Sequence, residues 1–486
     1  GVAVTKMDEI MQYTTTWVNE LQANSVADQA HRQFGWTDDD CKSFIVGSQE
    51  IFKDKVAFNP PSIQTTGLFP SFEPRGTMEE WKKAINFYNR DGFELHQFVV
   101  GTSFGSPLMQ FLPINCAGLH LYSKESGVGK TTAMAAGVSV WGRPEDLIIH
   151  ERDTFNTKMN RGEVYHNLPL YMDELTNTSS RELSNIAYQL TGGRQRGRMT
   201  SGSNTERHRG EAWRLLAVTT GNTSIIERIS MTKAMPKAEA QRILECRVKK
   251  IHFETKEETD IFSAAIQENY GHAGKEYVQY IMNNIEAVKK LLSNVQQRVD
   301  EMAGLTAENR FWSVLVSATV TGLLIAKKIE LIDYDCVKVF NWGIAQLKEN
   351  KRQVEDMNVS VEEVLNDFIH EHWSNVLWIK STDDLRKQHD IDNDSLIIPE
   401  AVPRGKLVAR YETDLKRVYI LPKPLRMWCG EQQINYNSFV HDLQTKLGAT
   451  KSKMRLSKGT HMSLPVAHVI VVDCSIERKN DDTKDL

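Results

Sequence analysis

The residues with the clearest chemical meaning are Gly127, Val128, Gly129, Lys130, Thr131 and Thr132, preceded by Ser126. Glycines at this spacing let backbone N–H groups converge on phosphate oxygens, and the helix that follows turns its positive end to the same anion. In such a loop Lys130 reaches the β- and γ-phosphates and Thr131 places its hydroxyl on Mg²⁺. ATP with Mg²⁺ is therefore the expected cofactor. The eight-residue frame opens at Lys124, where glycine is usual.

A second polar group closes the apolar run Leu168–Met172: Asp173 and Glu174. At the C-terminal end of a strand Asp173 would hold Mg²⁺ through water, and Glu174 would polarise a water for in-line attack. Alone, such a pair is a common helix N-terminal feature. Behind a phosphate loop it favours a hydrolysing motor over a nucleotide kinase. The next apolar run, Leu215–Thr219, leads into Thr220, Gly221 and Asn222, and Asn222 is the expected γ-phosphate sensor. Arg242 and Arg247 are candidates for a guanidinium that reaches a neighbouring subunit's γ-phosphate. Arg242 is preferred, because Arg247 abuts a strand expected at Val248–Phe253. Arg310, at the start of a lid helix, is expected to contact the nucleotide of its own subunit.

Between the acidic pair and Asn222 lies a glycine-rich segment carrying Arg194, Arg196, Arg198, Arg207 and Arg209. It has no aromatic residue for base stacking, so it would grip a nucleic-acid backbone in a sequence-independent, salt-sensitive manner. A second basic stretch, with Lys451, Lys453 and Arg455, follows a helix and precedes a strand, as in a winged-helix module that contacts DNA. The plain alternative for both is a solvated surface.

These groups must be positioned by elements that the apolar spacing outlines. Residues 1–94 read as a mainly helical N-terminal domain. Residues 95–255 alternate short apolar runs with helical patterns, which indicates a three-layer α/β core of the P-loop, AAA+-like class. Its strands are expected at Leu119–Tyr122, Leu147–Ile149, Leu168–Met172, Leu215–Thr219 and Val248–Phe253, with a helix near Ala238–Leu244. Residues 256–358 read as a helical lid, and residues 359–486 as a small α+β domain.

Composition sets the outer limits. The chain has 486 residues, 40% hydrophobic and 25% charged, with a net charge of −4, which describes an ordinary globular protein without a global basic signal. The six cysteines form no C-x-x-C pair, which argues against a structural zinc site and a disulfide framework. The stretch Trp312–Ala326 reads as a buried helix, not a membrane span. A cytoplasmic location is expected.

The segments Gly127–Thr132, Val138–Gly142, Arg194–Arg198 with Trp213-Arg214, Tyr270–Gly274 and Asn309–Phe311 resemble phage and mobile-element ATPases. These belong to a helicase-like "domain of unknown function" group, itself similar to superfamily 3 and AAA+ ring helicases. The resemblance covers roughly residues 80–340. It implies a hexameric DNA helicase in phage or mobile-element replication, binding single-stranded and forked DNA, with a primase or polymerase as partner or fused domain. Two other readings share the same motifs: an ATP-switched DNA loader that does not unwind, and a DNA-packaging ATPase.

Overall fold

The computed structural model describes residues 6–24, 29–125, 127–197, 210–231, 236–249, 256–356, 360–381, 399–432 and 434–475. The chain divides into two compact units. One comprises Gly1–Ile229 and Ala238–Arg352; the other comprises Ser230–Lys237 and Gln353–Leu486.

The first unit opens with α1 (Met7–Asn24), which buries none of its residues. Four short strands follow, β1 (Gly35–Trp36), β2 (Phe44–Val46), β3 (Gln49–Ile51) and β4 (Val56–Phe58), as an antiparallel meander. The meander is an addition to a region expected to be mainly helical, whose helices α1 and Met78–Ile85 are present. Strands of two or three residues are too short to leave an alternating pattern. Phe44 stacks on Trp141 at 5.5 Å, and the Trp141 indole donates to Ser103 O at 3.1 Å. The Val138–Gly142 signature therefore has a packing role.

After α2 (Phe69–Phe72), α3 (Met78–Ile85) is started by Thr77, whose hydroxyl accepts from Glu80 N at 3.2 Å. The core of the unit then runs through α4 (Glu94–Gly105), β5 (Cys116–Tyr122), α5 (Lys130–Val138), α6 (Pro144–Leu147), α7 (Phe155–Tyr165), β6 (Leu170–Met172), α8 (Ser180–Gly192), β7 (Leu215–Gly221), α9 (Ile225–Ser230), α10 (Lys237–Ala240) and β8 (Ile243–Arg247). The sheet is parallel, in the order β6-β7-β5-β8. Every residue of β7 is buried, so helices must cover both faces of the sheet. The expected strand at Leu147–Ile149 is reduced to a parallel bridge between Ile149 and Met172.

The expected helix over Ala238–Leu244 ends early, and Ile243–Arg247 is strand β8. Pairing of Gly118 with Ile243 and of Tyr122 with Arg247 draws this segment into the sheet against its Ala- and Glu-rich helical propensity. Of the strand expected at Val248–Phe253, Val248 and Lys249 follow β8 outside any element, and residues 250–253 lie outside the described residues.

Helices α11 (Lys256–Glu268), α12 (Ala273–Asn283), α13 (Ile285–Ala303), α14 (Arg310–Lys328) and α15 (Cys336–Asp356) complete the helical stretch. The α14 helix is long and apolar, and it is buried continuously from Phe311 to Leu323 against α4, α13 and β5. Gly101, Gly105 and Gly322 allow α4 and α14 to approach closely; a Cβ at Gly105 would stand 2.8 Å from the Ala318 backbone.

The second unit contains α16 (Val361–Glu371), β9 (Val376–Ile379), β10 (Ala409–Glu412), β11 (Arg417–Ile420), α17 (Pro422–Glu431), α18 (Tyr436–Lys446), β12 (Thr450–Met454) and β13 (Ala467–Asp473). A capping box between Ser360 and Glu363 starts α16. The sheet order is β12-β13-β11-β10-β9, with only β9 and β10 parallel. The basic stretch expected as a loop is edge strand β12, where lysines suit an exposed edge. All six cysteines are free.

Candidate functional site

The phosphate loop runs from the end of β5 to the start of α5. Gly127 and Gly129 hold φ of +70° and +88°, a left-handed geometry that a side chain disfavours. A Cβ at Gly129 would also stand 3.2 Å from the buried His96 Nε2. Lys124 is exposed and has no positive φ, so its backbone does not require the usual glycine. Ser126 lies outside the described residues.

Lys130 Nζ donates to Ser123 O at 3.1 Å and to Gly221 O at 2.8 Å. Its ammonium thus bridges the phosphate loop and the end of β7. Burial pulls its pKa down, and the charges of Asp173 and Glu174 oppose that shift. Thr131 Oγ1 donates to Asp173 Oδ2 at 3.1 Å. The other carboxylate oxygen, Oδ1, accepts a short hydrogen bond from Thr220 Oγ1 and a 3.1 Å bond from Glu174 N. The Asp173 backbone N–H donates to Ile149 O at 2.8 Å, so even the reduced strand helps aim this carboxylate. Three parallel strand ends therefore bring Thr131, Asp173 and Thr220 together. A hydroxyl beside a carboxylate is an oxygen donor set of the kind Mg²⁺ accepts, next to a glycine loop and an ammonium that suit a triphosphate. The residues present fit Mg²⁺–ATP.

Glu174 is exposed, with φ 52° and ψ 38°, an uncommon geometry for a residue with a side chain. Its carboxylate accepts from Asn177 Nδ2 at 3.5 Å, and the same amide donates to Glu151 at 2.9 Å. Asn222 is exposed at the end of β7, its backbone N–H held by Thr176 Oγ1 at 3.0 Å.

A buried polar network lies beneath the Asn222 loop. His120 on β5 bonds Thr219 Oγ1 at 2.8 Å and Thr223 O at 3.1 Å. Glu245 on β8 accepts from Ser224 Oγ and from Ile225 N at 2.6 Å, which caps α9. The Glu245 backbone is paired in both directions with the Asn350 side chain on α15, at 3.0 and 2.8 Å. Burial pushes the Glu245 carboxyl up to about 7 and pulls the His120 imidazole down to about 4. Sequence reading missed His120, Glu245 and His96, since a buried polar residue inside an apolar run has no distinctive spacing. Thr220 had a signal, its place beside Asn222.

The candidate arginines separate. Arg247 ends β8 opposite Tyr122, at the same sheet edge as the phosphate loop. Arg242 precedes β8 at the opposite edge, beyond the roughly 13 Å that this strand spans. There it lies over Tyr188 at 4.3 Å and Phe311 at 5.6 Å, and its Nη1 donates to Ala238 O at 2.6 Å. Arg310 lies over the same Phe311 at 5.2 Å. Arg310 is the residue expected to contact its own subunit's nucleotide, and this contact places it at the start of α14. The start of α14 packs against the start of β8, where the Trp312 indole donates to Ala240 O at 3.2 Å.

The basic segment leaves α8 at Gly193 and returns at Trp213, whose N–H donates to Gly193 O at 2.9 Å. Its flanks also meet on α7, where Gln195 and the Glu211 backbone both donate to the Glu163 carboxylate. Arg194 and Arg196 are exposed, and Arg196 donates to Asn185 Oδ1 at 3.1 Å. Arg198, Arg207 and Arg209 lie outside the described residues. In the second unit Lys451, Lys453 and Arg455 are exposed at every second position along and just beyond β12.

A family model described as a domain of unknown function (DUF927) matches residues 1–209. That span contains the phosphate loop, Asp173 and Glu174, and Arg194 to Arg209. Among solved structures, the chain is similar to the SCCmec type IV Cch, an active helicase. The TM-score is 0.61 at 15% identity, over 95% of this chain and 82% of that one. The C-terminal region of NrS-1, in an apo form, overlaps 62% of this chain and 77% of its own, with a TM-score of 0.24 at 10% identity. No curated protein matches the chain. The likeness to Cch, at its low identity, is one of fold.

Proposed function

We propose that the chain is an ATP-dependent DNA helicase or translocase of the AAA+ and superfamily 3 type, working as a hexameric ring in phage or mobile-element replication. The observation that carries this reading is the Thr131–Asp173–Thr220 group, with Lys130 and Glu174 beside it at one sheet edge and Arg242 at the other. One strand, β7, separates the P-loop strand β5 from the acidic strand β6 and brings Thr220 and Asn222 between them.

When bound, Mg²⁺–ATP supplies a γ-phosphoryl group as electrophile. Lys130 would meet the phosphate oxygens and neutralise their charge. Thr131 and Asp173 are the metal-side residues. Glu174 orients a water and takes its proton, and Asn222 hydrogen-bonds at the end of β7. Arg242 acts on the nucleotide of the adjacent subunit, which requires a closed ring. Arg194, Arg196 and Arg198, with Arg207 and Arg209, hold one DNA strand by its phosphates. In the second unit the run β11, α17, α18, β12, β13 supports a winged-helix module, to which β9 and β10 are added, with Lys451, Lys453 and Arg455 toward duplex phosphates. A primase or polymerase is the partner this reading expects.

Purified protein with ATP should separate a forked duplex and form a six-membered ring with an ATP analogue and single-stranded DNA. DNA-stimulated hydrolysis without strand separation on either fork polarity would replace the helicase by an ATP-switched loader. Metal-dependent cleavage of plasmid DNA would point to packaging.

A further inference from the structure

The second unit holds an aromatic ladder that leads from its sheet to solvent. Trp373, in the 3-10 turn after α16, is 53% exposed. Its ring lies 4.3 Å from that of Trp378 on β9, which lies 4.8 Å from Tyr411 on β10. Trp378 and Tyr411 are direct cross-strand partners, and both line an open cavity of about 710 Å³ floored by Leu365, Ile369 and Val418.

The chain then brings cations to the open end of the ladder. Arg404 N donates to Ser374 O at 2.8 Å, and a Cβ at Gly405 would stand 2.9 Å from Asn375 Oδ1. This close approach brings the backbone of Arg404 and Gly405 to the turn that carries Trp373, and Arg404 and Lys406 are exposed there. Acidic groups are present in the same unit, and two of them are engaged. Asp473 is paired with Arg417 at 3.2 Å, and Glu400 accepts from Thr413 at 2.8 Å. Glu362 lines the cavity from α16.

Fold stability does not require a half-exposed tryptophan on a turn that a basic segment meets. The combination suits an unpaired base stacked on the ring with flanking phosphates on the guanidinium and ammonium. We propose that Trp373, backed by Trp378 and Tyr411 and flanked by Arg404 and Lys406, is a stacking site for single-stranded nucleic acid. The proposal rests on the DNA-motor reading and adds to it a contact that neither basic segment supplies. An extended proline-rich peptide is the competing occupant of an aromatic groove. It gives no role to the two cations.

The test uses the full chain and a labelled oligo(dT), with affinity read by anisotropy across a salt series. Trp373→Ala should weaken binding about tenfold, with Trp373→Phe retaining most of it. Arg404→Ala with Lys406→Ala should lower the salt slope by roughly 1.4, two released counterions' worth for a single strand. Basal ATPase should be unchanged in all three variants. Parental oligo(dT) affinity in Trp373→Ala overturns the stacking site, as does binding of a proline-rich peptide that Trp373→Ala abolishes while DNA affinity stays constant. The motor reading is judged separately, by whether Lys130→Ala loses hydrolysis.

Discussion

Lys130 Nζ donates to the carbonyl of Gly221 at 2.8 Å, joining the phosphate loop to the end of the neighbouring strand. The ammonium that should meet a phosphate thus has two backbone carbonyl partners, Ser123 O and Gly221 O. Lys130→Ala should cut hydrolysis about 10²- to 10³-fold. It should also lower nucleotide-free stability by about 1–2 kcal/mol, because two charge-assisted bonds are lost. Denaturant unfolding without nucleotide measures the second effect.

Thr220 and Glu174 should separate metal affinity from chemistry. Thr220→Val removes the hydroxyl that holds Asp173 Oδ1, and should raise the Mg²⁺ needed for half-maximal activity about 10- to 100-fold. Glu174→Gln should leave ATP binding intact and slow hydrolysis about 10²- to 10⁴-fold. A magnesium titration beside a filter-binding assay distinguishes the two.

Arg242 lies at the sheet edge away from its own Asp173, so its contribution should cross between subunits. Arg242→Ala and Lys130→Ala should each be inactive alone. Mixed, they should recover activity, because some interfaces then pair an intact loop with an intact arginine. A mixture as inactive as its parts would remove Arg242 from the finger role and leave Arg310, its neighbour across Phe311, as the next candidate.

The buried titratable groups predict a particular dependence of stability on pH. Burial pulls His96 and His120 to about 4, below the ordinary 6.5, so between these values the unfolded chain binds more protons and stability rises with pH. Glu245 is pushed from 4.5 to about 7, so across that window the folded chain binds more protons and its contribution falls as pH rises. The two effects oppose each other. Glu245→Gln should therefore steepen the gain in stability from pH 5 to 6.5, by at most about 1 kcal/mol per pH unit. Unfolding curves of both proteins at matched pH values check the difference.

The strands that carry chemistry were legible because each is an apolar run ending in small or charged polar residues: Leu119–Tyr122, Leu168–Met172 and Leu215–Thr219. The fourth strand, β8, was misplaced by several residues. Its sequence, Ile243 to Arg247, continues an Ala- and Glu-rich stretch, and only pairing with β5 makes it extended. The β1–β4 meander was missed because its strands are two or three residues long, and β12 because an exposed edge strand rich in lysine looks like a loop. Within the site, the loop, the acidic pair and Asn222 could be named from residue type and spacing. The roles of Thr220, His120 and Glu245 depend on partners brought close by folding.

The hydrogen bond from Trp213 to Gly193 means that the arginine-bearing excursion begins and ends at one point of the scaffold. A segment mounted in this way can change length or content without moving the sheet that carries the nucleotide residues. On the proposed function, the polymer such a segment would grip could be exchanged by grafting while the sheet behind it stays the same.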